Sequence, residues 1–428
     1  MWRFALVRIR VRLFPSTSRL PCAIAIFCLV LAMAHLRAEQ SPTLTADSAV
    51  AMAIKGNKEL SAARFLLQEA EGRARGAGLL PNPELEGELA AGQDFEGRVV
   101  AGIMQRFPLT GRLRLERKLS DLDVQMAGLE VREKEWQLTL AVRKAFYHLA
   151  ASREALAISR RQAELAEAFT KTVAGGVDAG FRSQLDLQEA KLSASNLQAK
   201  AESLRGLELE SSARLSEWLG LPTDTCFILN QKLSLPKSAP ASRPAGTRAD
   251  LELAEMAVRS GETHVSLSKA TSWDDVGVGV FVEGERFRDA PTGIEPEVLA
   301  GLKLSIPLPL WQSGSGKVAE REAARKHMRA RLESLRFAVQ NQILLTHRVM
   351  SLRFQSASQF GSKVLPIANE HVRECEAAYG RGEVDLQAVF RARDRLAEIE
   401  LSDLEARKAY FLAYNEWLGA LGESMTNP

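Results

Sequence analysis

The sequence predicts a mainly helical protomer with a small β part, built from two copies of one plan. Three observations carry this reading: a proline-free stretch far longer than an ordinary helix, two pairs of segments whose apolar residues alternate, and landmarks that return about 199 residues later. The stretch runs from Arg112 to Val173. Proline is absent from Leu109 to Leu221, glycine is absent from Leu129 to Ala174, and Leu, Ala, Glu, Arg and Lys, all good helix formers, dominate. At 1.5 Å per residue such a helix is a rod on the order of 90 Å long. Leu122, Met126, Leu129, Leu138, Val142, Phe146, Leu149, Leu156 and Ala163 recur by steps of three, four and seven, the spacing of a coiled-coil seam. They occupy more than one stripe, so the rod must pack against neighbours on at least two sides.

Residues 1–38 read as a secretory signal peptide. Arg3, Arg8, Arg10, Arg12 and Arg19 precede an apolar run from Cys22 to Ala34, too short for a membrane span of about 20 residues, and cleavage after Ala34 or Ala38 fits. Removing the leader takes six arginines from the 56 basic residues and none of the 53 acidic ones, which leaves a mature charge of about −3. Acidic and basic residues are interspersed along helices, without the basic stripe that replaces phosphate counterions, so nucleic acid is excluded as a partner. Cys226 and Cys375 remain after export, far apart and in unlike contexts, which provides neither a disulfide framework nor a zinc ligand set. Beyond the leader no apolar run reaches 18 residues, so insertion into lipid must be through strands.

Residues 43–79 read as helices with Thr43 or Thr45 as N-cap, ended by Pro81 and Pro83. Glu84 to Ala90 then alternates acids with Leu85, Gly87 and Leu89, and Arg98 to Phe107 follows a Gly-Gln-Asp-Phe-Glu-Gly turn, the pattern of a β-hairpin. A second pair follows. Val276, Val278, Val280 and Val282 alternate with Gly277, Gly279 and Phe281, and Leu302, Leu304 and Ile306 alternate with Lys303 and Ser305. Such alternation places one face in lipid and the other in water, with the valines facing lipid and Lys303 and Ser305 facing a lumen. Arginine at Val280 should therefore be costly, and arginine at Gly279 or Lys303 mild.

Self-similarity organises the rest. Ser216-Glu217-Trp218-Leu219-Gly220 returns as Asn415-Glu416-Trp417-Leu418-Gly419, and Phe107-Pro108-Leu109 returns as Ile306-Pro307-Leu308. Gly180-Phe181-Arg182-Ser183 followed by Ala190 returns as Gly382-Glu383-Val384-Asp385 followed by Ala392. The chain divides into a first repeat (39–234), a Pro, Ser and Ala-rich linker (235–247) and a second repeat (248–428). Each repeat holds short helices, a strand pair, a very long helix, a glycine-bearing reversal and a returning helix. Four strands cannot close a membrane barrel, which starts at about eight, so several chains must complete it.

In this combination of strand, Pro-Leu, long helix, Gly-x-x-Ser-x-x-Asp-Leu tip and closing Trp-Leu-Gly, the sequence resembles the TolC family of outer-membrane efflux proteins over nearly all of the chain after the leader. Pro81-Asn82-Pro83-Glu84-Leu85 and Gln105-Arg106-Phe107-Pro108-Leu109-Thr110-Gly111-Arg112 look closest to its heavy-metal (cobalt-zinc-cadmium) branch. The resemblance implies a mainly α, two-repeat protomer whose four strands join a trimeric 12-stranded β-barrel in the outer membrane, standing on a long α-helical barrel in the periplasm. It implies as partners two further copies, outer-membrane lipid, a periplasmic adaptor (membrane fusion) protein and an inner-membrane pump of the resistance-nodulation-division type. The glycine reversals match the family's periplasmic tips, so Gly180, Ser183, Gly382 and Asp385 are the implied adaptor-docking positions. Asp186 and Tyr379 match tip residues that help hold the closed state. Ala388 and Arg391 stand where several members carry an aspartate ring, so that ring is not carried over.

Other motifs lead elsewhere and are set aside. Gly314-Ser315-Gly316-Lys317 follows a strand and opens a helix, but Trp311 replaces the earlier glycine of a phosphate loop and Val318 its Ser or Thr, which leaves a turn and a helix start. His371 and Cys375 are four apart on one helical face, but two ligands do not close a metal site, so no metal, cofactor or catalytic residue is assigned. The reading is a passive exit duct, not an enzyme. A periplasmic coiled-coil adaptor is the alternative; it would share the leader and a long hairpin but show one hairpin and a lipoyl-like domain. An exported enzyme would need a convergent polar site.

Overall fold

The computed structural model describes residues 43–92, 97–230, 232–243, 246–289, 293–308 and 314–422. The leader and Trp311 lie outside the described residues. The elements run β1 (Thr43–Leu44), α1 (Ala46–Gly56), α2 (Lys58–Gly76), β2 (Glu84–Ala91), β3 (Gly97–Phe107), α3 (Arg112–Asp178), α4 (Gln184–Leu219), β4 (Ile228–Leu229), α5 (Ala249–Ala270), β5 (Val276–Asp289), β6 (Gly293–Ser305), α6 (Ser315–Gln359), a π-helical turn (Phe360–Val364), α7 (Leu365–Gly380) and α8 (Leu386–Leu421).

Thr45 is the cap of α1: its Oγ1 accepts from the Ser48 amide at 3.2 Å while Ser48 Oγ accepts from the Thr45 amide at 2.8 Å. Thr43 instead pairs with Ile228 in a short parallel bridge between β1 and β4, which the sequence pattern did not show. Asn57 caps α2 and also donates to the Trp218 carbonyl at 3.1 Å, fastening the entry helices to the end of α4.

The predicted rod is α3, 67 residues long, or about 100 Å at the α-helical rise. It is flanked by α1, α2, α4, α5 and α8, which is how its several apolar stripes are covered. Leu122, Leu129, Leu138, Val142, Phe146, Leu149 and Leu156 are buried as the seam requires. The central core gathers Phe146 and Leu149 of α3, Leu215 and Leu219 of α4, and Leu404 of α8. A second cluster unites Met350 of α6 with Tyr410, Trp417 and Leu421 of α8. The repeated Trp-Leu-Gly has two fates. Gly220 (φ 71°) ends α4 and leaves Trp218 37% exposed, whereas α8 continues through Gly419 to Gly422 (φ 72°) and Trp417 is 2% exposed.

Both hairpins exist and join in one antiparallel sheet, ordered β2-β3-β5-β6. The join is an 11-residue register between β3 and β5, from Gly97↔Arg286 to Phe107↔Val276. Register rows such as Leu85↔Ile103↔Val280↔Leu302 carry the apolar alternation across all four strands. One face therefore holds Leu85, Leu89, Val99, Ile103, Val278, Val280, Val282, Val298, Leu302 and Leu304. The opposite face holds Glu84, Glu86, Glu88, Arg98, Arg106, Glu283, Glu285, Glu297 and Lys303. Lys303 bonds Glu86 at 2.7 Å and Arg106 bonds Glu84 at 3.1 Å, while Arg98 pairs with Glu283. Gly279 departs from expectation: a Cβ there would lie 2.9 Å from the Ile103 carbonyl oxygen, so backbone crowding, not lipid, makes it a poor site for arginine.

Candidate functional site: the helical tip and the two-faced sheet

The tip is the end of both helical hairpins. α3 and α7 each end in the same reversal, in which the amide three residues past the helix reaches back to an earlier carbonyl: Phe181 to Gly176 at 2.9 Å, and Glu383 to Ala378 at 2.9 Å. The residues between, Gly180 (φ 77°) and Gly382 (φ 75°), lie in the left-handed region where a side chain is strained. No atom would crowd a Cβ at either position, so the requirement is backbone torsion alone.

Ser183 and Asp385 start the returning helices. Ser183 Oγ accepts from the Leu185 amide at 3.1 Å, and Asp385 Oδ1 accepts from the Ala388 amide at 2.8 Å. Asp186 completes a capping box by accepting from the Ser183 amide at 3.1 Å. Its carboxylate is thus committed to its own turn. The repeat-related turns differ in chemistry: the first exposes Phe181 (84%) and Leu185 (70%), and the second carries an Arg381–Glu383 pair bonded at 2.7 and 2.8 Å.

Between the hairpins lies a small core of Val173, Leu187, Ala190, Leu386 and Phe390, with Phe169 and Tyr379 at its margin. Phe169 meets Phe390 edge-on at 5.5 Å and Tyr379 at 6.0 Å. The Arg182 guanidinium sits over the Tyr379 ring at 4.2 Å, and Arg393 over Phe169 at 4.5 Å. Burial raises the Tyr379 phenol above its ordinary value; the nearby Asp186 carboxylate also raises it, and Arg182 opposes both. So Asp186 and Tyr379 share one neighbourhood, but the group in contact with the tyrosine is Arg182, which sequence reasoning missed. Its signal was a cation two residues after one reversal glycine and an aromatic three before the other. Arg391 lies 3.9 Å from Asp385 and is exposed.

Comparison with known proteins gives likenesses in sequence and in fold. Residues 49–221, which run from α1 through α4 to just past its end, match the outer membrane efflux protein family. The chain is 22% identical over 399 residues to the cobalt-zinc-cadmium resistance protein CzcC of Cupriavidus metallidurans, covering 90% of this chain and 88% of that one. The fold is that of the transmembrane channel CusC (TM-score 0.72, 15% identity, 89% of this chain and 92% of that one). It is equally that of the CmeC outer membrane channel of Campylobacter jejuni (TM-score 0.70, 12% identity, 88% and 85%). Among the described residues no helix is long and apolar enough to cross a membrane, and no three His, Cys, Asp or Glu side chains converge as a metal site.

Proposed function

We propose that the chain is the outer-membrane exit duct of a tripartite efflux system, a homotrimer that passively conducts substrate delivered by an inner-membrane pump through a periplasmic adaptor. The observation that carries this reading is the sheet, whose apolar face is open (Leu85 83% exposed, Leu302 81%) while its other face is charged, and whose edges, β2 and β6, have no strand beside them among the described residues. An apolar face backed by a charged one suits lipid outside and water within, and unpaired edges are not tolerated in lipid. Three copies supply twelve strands with every edge paired. Two helical hairpins carrying such a sheet also speak against the adaptor alternative, which needs one hairpin and no barrel strands.

The cargo we assign is heavy-metal cations, on the likeness to a cobalt-zinc-cadmium resistance protein. Energy comes from the pump of the resistance-nodulation-division type. The tips around Gly180, Ser183, Gly382 and Asp385 are the adaptor-docking surface, with the exposed Phe181 and Leu185 as its apolar part. Tyr379, Asp186 and Arg182 form the periplasmic gate. The leader directs the chain to the outer membrane, with the helical body in the periplasm. The test is a strain lacking the chain, complemented or not and challenged with cobalt, zinc, cadmium and a drug panel, beside the mass of the purified mature protein in detergent. Metal resistance restored by the chain and a trimeric mass are expected. A stable monomer overturns the architecture, and drug sensitivity without metal sensitivity overturns the cargo.

A further inference from the structure

His371 and Cys375 lie one turn apart on α7, and their side chains meet. Cys375 Sγ is 3.8 Å from His371 Nε2 and 3.9 Å from Nδ1. The sulfur is almost equidistant from the two nitrogens, so rotation of the imidazole presents either lone pair to an ion held by the sulfur. With metal–sulfur and metal–nitrogen bonds of about 2.3 and 2.0 Å, a separation of 3.8 Å corresponds to an angle at the metal of about 125°, slightly wider than the trigonal value. No backbone movement is needed. Residues at i and i+4 on a helix are the spacing at which paired ligands hold zinc in other proteins.

We propose that His371 and Cys375 form a two-ligand chelate for a soft metal cation on the tip-proximal part of α7, with cadmium as the representative ion. A thiolate with an imidazole selects soft and borderline cations over magnesium or calcium. The thiol is free and half-buried, the other free cysteine, Cys226, is exposed in the α4–α5 connection, and His371 is exposed. On binding, the Cys375 S–H bond breaks, its proton leaves to solvent, and the sulfur lone pair forms the metal bond. Glu370 precedes His371, and Glu374 lies between the two residues in the same helical turn. Among the described residues no third protein donor converges, so the remaining coordination positions are open to water, which makes the site one for exchange and not a permanent structural centre. The site lies one turn from Tyr379 on the same face of α7. It rests on side-chain geometry alone and is independent of the cargo assigned above.

The experiment uses the full mature chain in detergent, with cadmium chloride as the probe. Alkylation of Cys375 and Cys226 by iodoacetamide is followed by peptide mass spectrometry, and the thiolate-to-metal charge-transfer absorption is read in parallel. Cadmium is expected to slow alkylation of Cys375 while leaving Cys226 unchanged, and His371→Ala is expected to weaken the metal's effect about tenfold, a loss of about 1.4 kcal/mol in binding. Cys375→Ser should remove the absorption band, and Cys375→His should restore binding, now of nickel, through paired imidazoles. All three are surface substitutions on a helix, and an unchanged far-ultraviolet circular dichroism spectrum confirms folding. Equal protection of both cysteines, no protection of Cys375, or protection undiminished by His371→Ala overturns the chelate.

Discussion

The two long helical hairpins differ where a duplication would make them alike. In the first, α3 runs unbroken for 67 residues; in the second, the same distance is divided into 45 residues of α6, a five-residue π turn and 16 residues of α7. Pro366 supplies part of the cause. It has no N–H to donate to the carbonyl four residues back, and its ring crowds that carbonyl, so a wider turn just before it relieves both. The rest of the cause lies across the interface. Asp403 of α8 is buried beneath Gly361, with one carboxylate oxygen 3.6 Å from where a Cβ would stand and without a hydrogen-bond partner. Its other oxygen accepts from Arg407 Nε at 2.8 Å, while Arg407 also donates to Glu154 of α3 at 2.7 Å and to the Leu233 carbonyl at 3.1 Å. The comparison teaches that a copied length does not imply a copied helix: one hairpin runs without interruption, and the other carries a π turn above an ionic knot around the buried Asp403.

The largest effect that can break this comparison is at the knot. Arg407→Ala should destabilise the protein by about 3–5 kcal/mol because it strands the buried Asp403 carboxylate. Arg407→Met with Asp403→Leu should recover most of that loss, as read from denaturant midpoints. Next comes the sheet. Val280→Arg should cost about 2–4 kcal/mol if the position lies near the membrane midplane, whereas Ser305→Arg on the charged face should be mild. Ser305 is a better control than Gly279, where the Ile103 carbonyl forbids a side chain. Folding yield in lipid vesicles separates the two, and equal losses would count against a barrel.

Alkali should act on the two halves together. Burial pushes Tyr147 of α3 and Tyr410 of α8 up to about 12 from 10. Their phenols stay neutral in the folded chain where an unfolded chain would already ionise, so this contribution is complete below pH 10 and falls as pH rises from about 10 to about 12. Thermal melts across that window, beside Tyr147→Phe and Tyr410→Phe, should show the decline shrinking in each variant.

At the tip the effects are smaller. Asp186→Ala removes a cap worth about 1 kcal/mol. With Tyr379→Phe it should raise single-channel conductance in planar bilayers, and Arg182→Ala should act in the same direction by removing the cation over the ring. Unchanged conductance in all three would leave closure to helix packing alone. The smallest effect belongs to Pro366→Ala. It should change stability by less than about 1 kcal/mol yet slow amide hydrogen exchange around Ser362, as a regular turn replaces the wide one.

Much of this architecture was legible in the chain because it rests on local, periodic signals. The rod announced itself by the absence of proline and glycine, the hairpins by strict alternation, and the reversals by Gly180 and Gly382. What was illegible depends on partners distant in sequence. The β3–β5 join, the bridge of Thr43 with Ile228 and the seat of Arg182 on Tyr379 each unite segments that no periodicity links. The π turn escaped notice because one extra residue in a turn leaves the apolar pattern almost unshifted. Ser183, Asp385 and Asp186 were read for docking and gating, and their capping chemistry was overlooked although Ser-x-x-Asp is a capping pattern.

The unequal edges of the sheet set an order of events in time. Each hairpin closes over a short loop and can zip early, and β3 meets β5 only after α3 and α4 have been made, so that step is slower. Copies can meet only along β2, eight residues long, and β6, thirteen residues long, so the seam between chains pairs at most eight residues of its longer strand. In the proposed trimer that step needs two chains to meet, its rate rises with the local density of chains, and until it is complete each copy presents two unpaired edges. For the proposed trimer, the slowest and most hazardous moment is therefore the interval between finishing one sheet and finding two others.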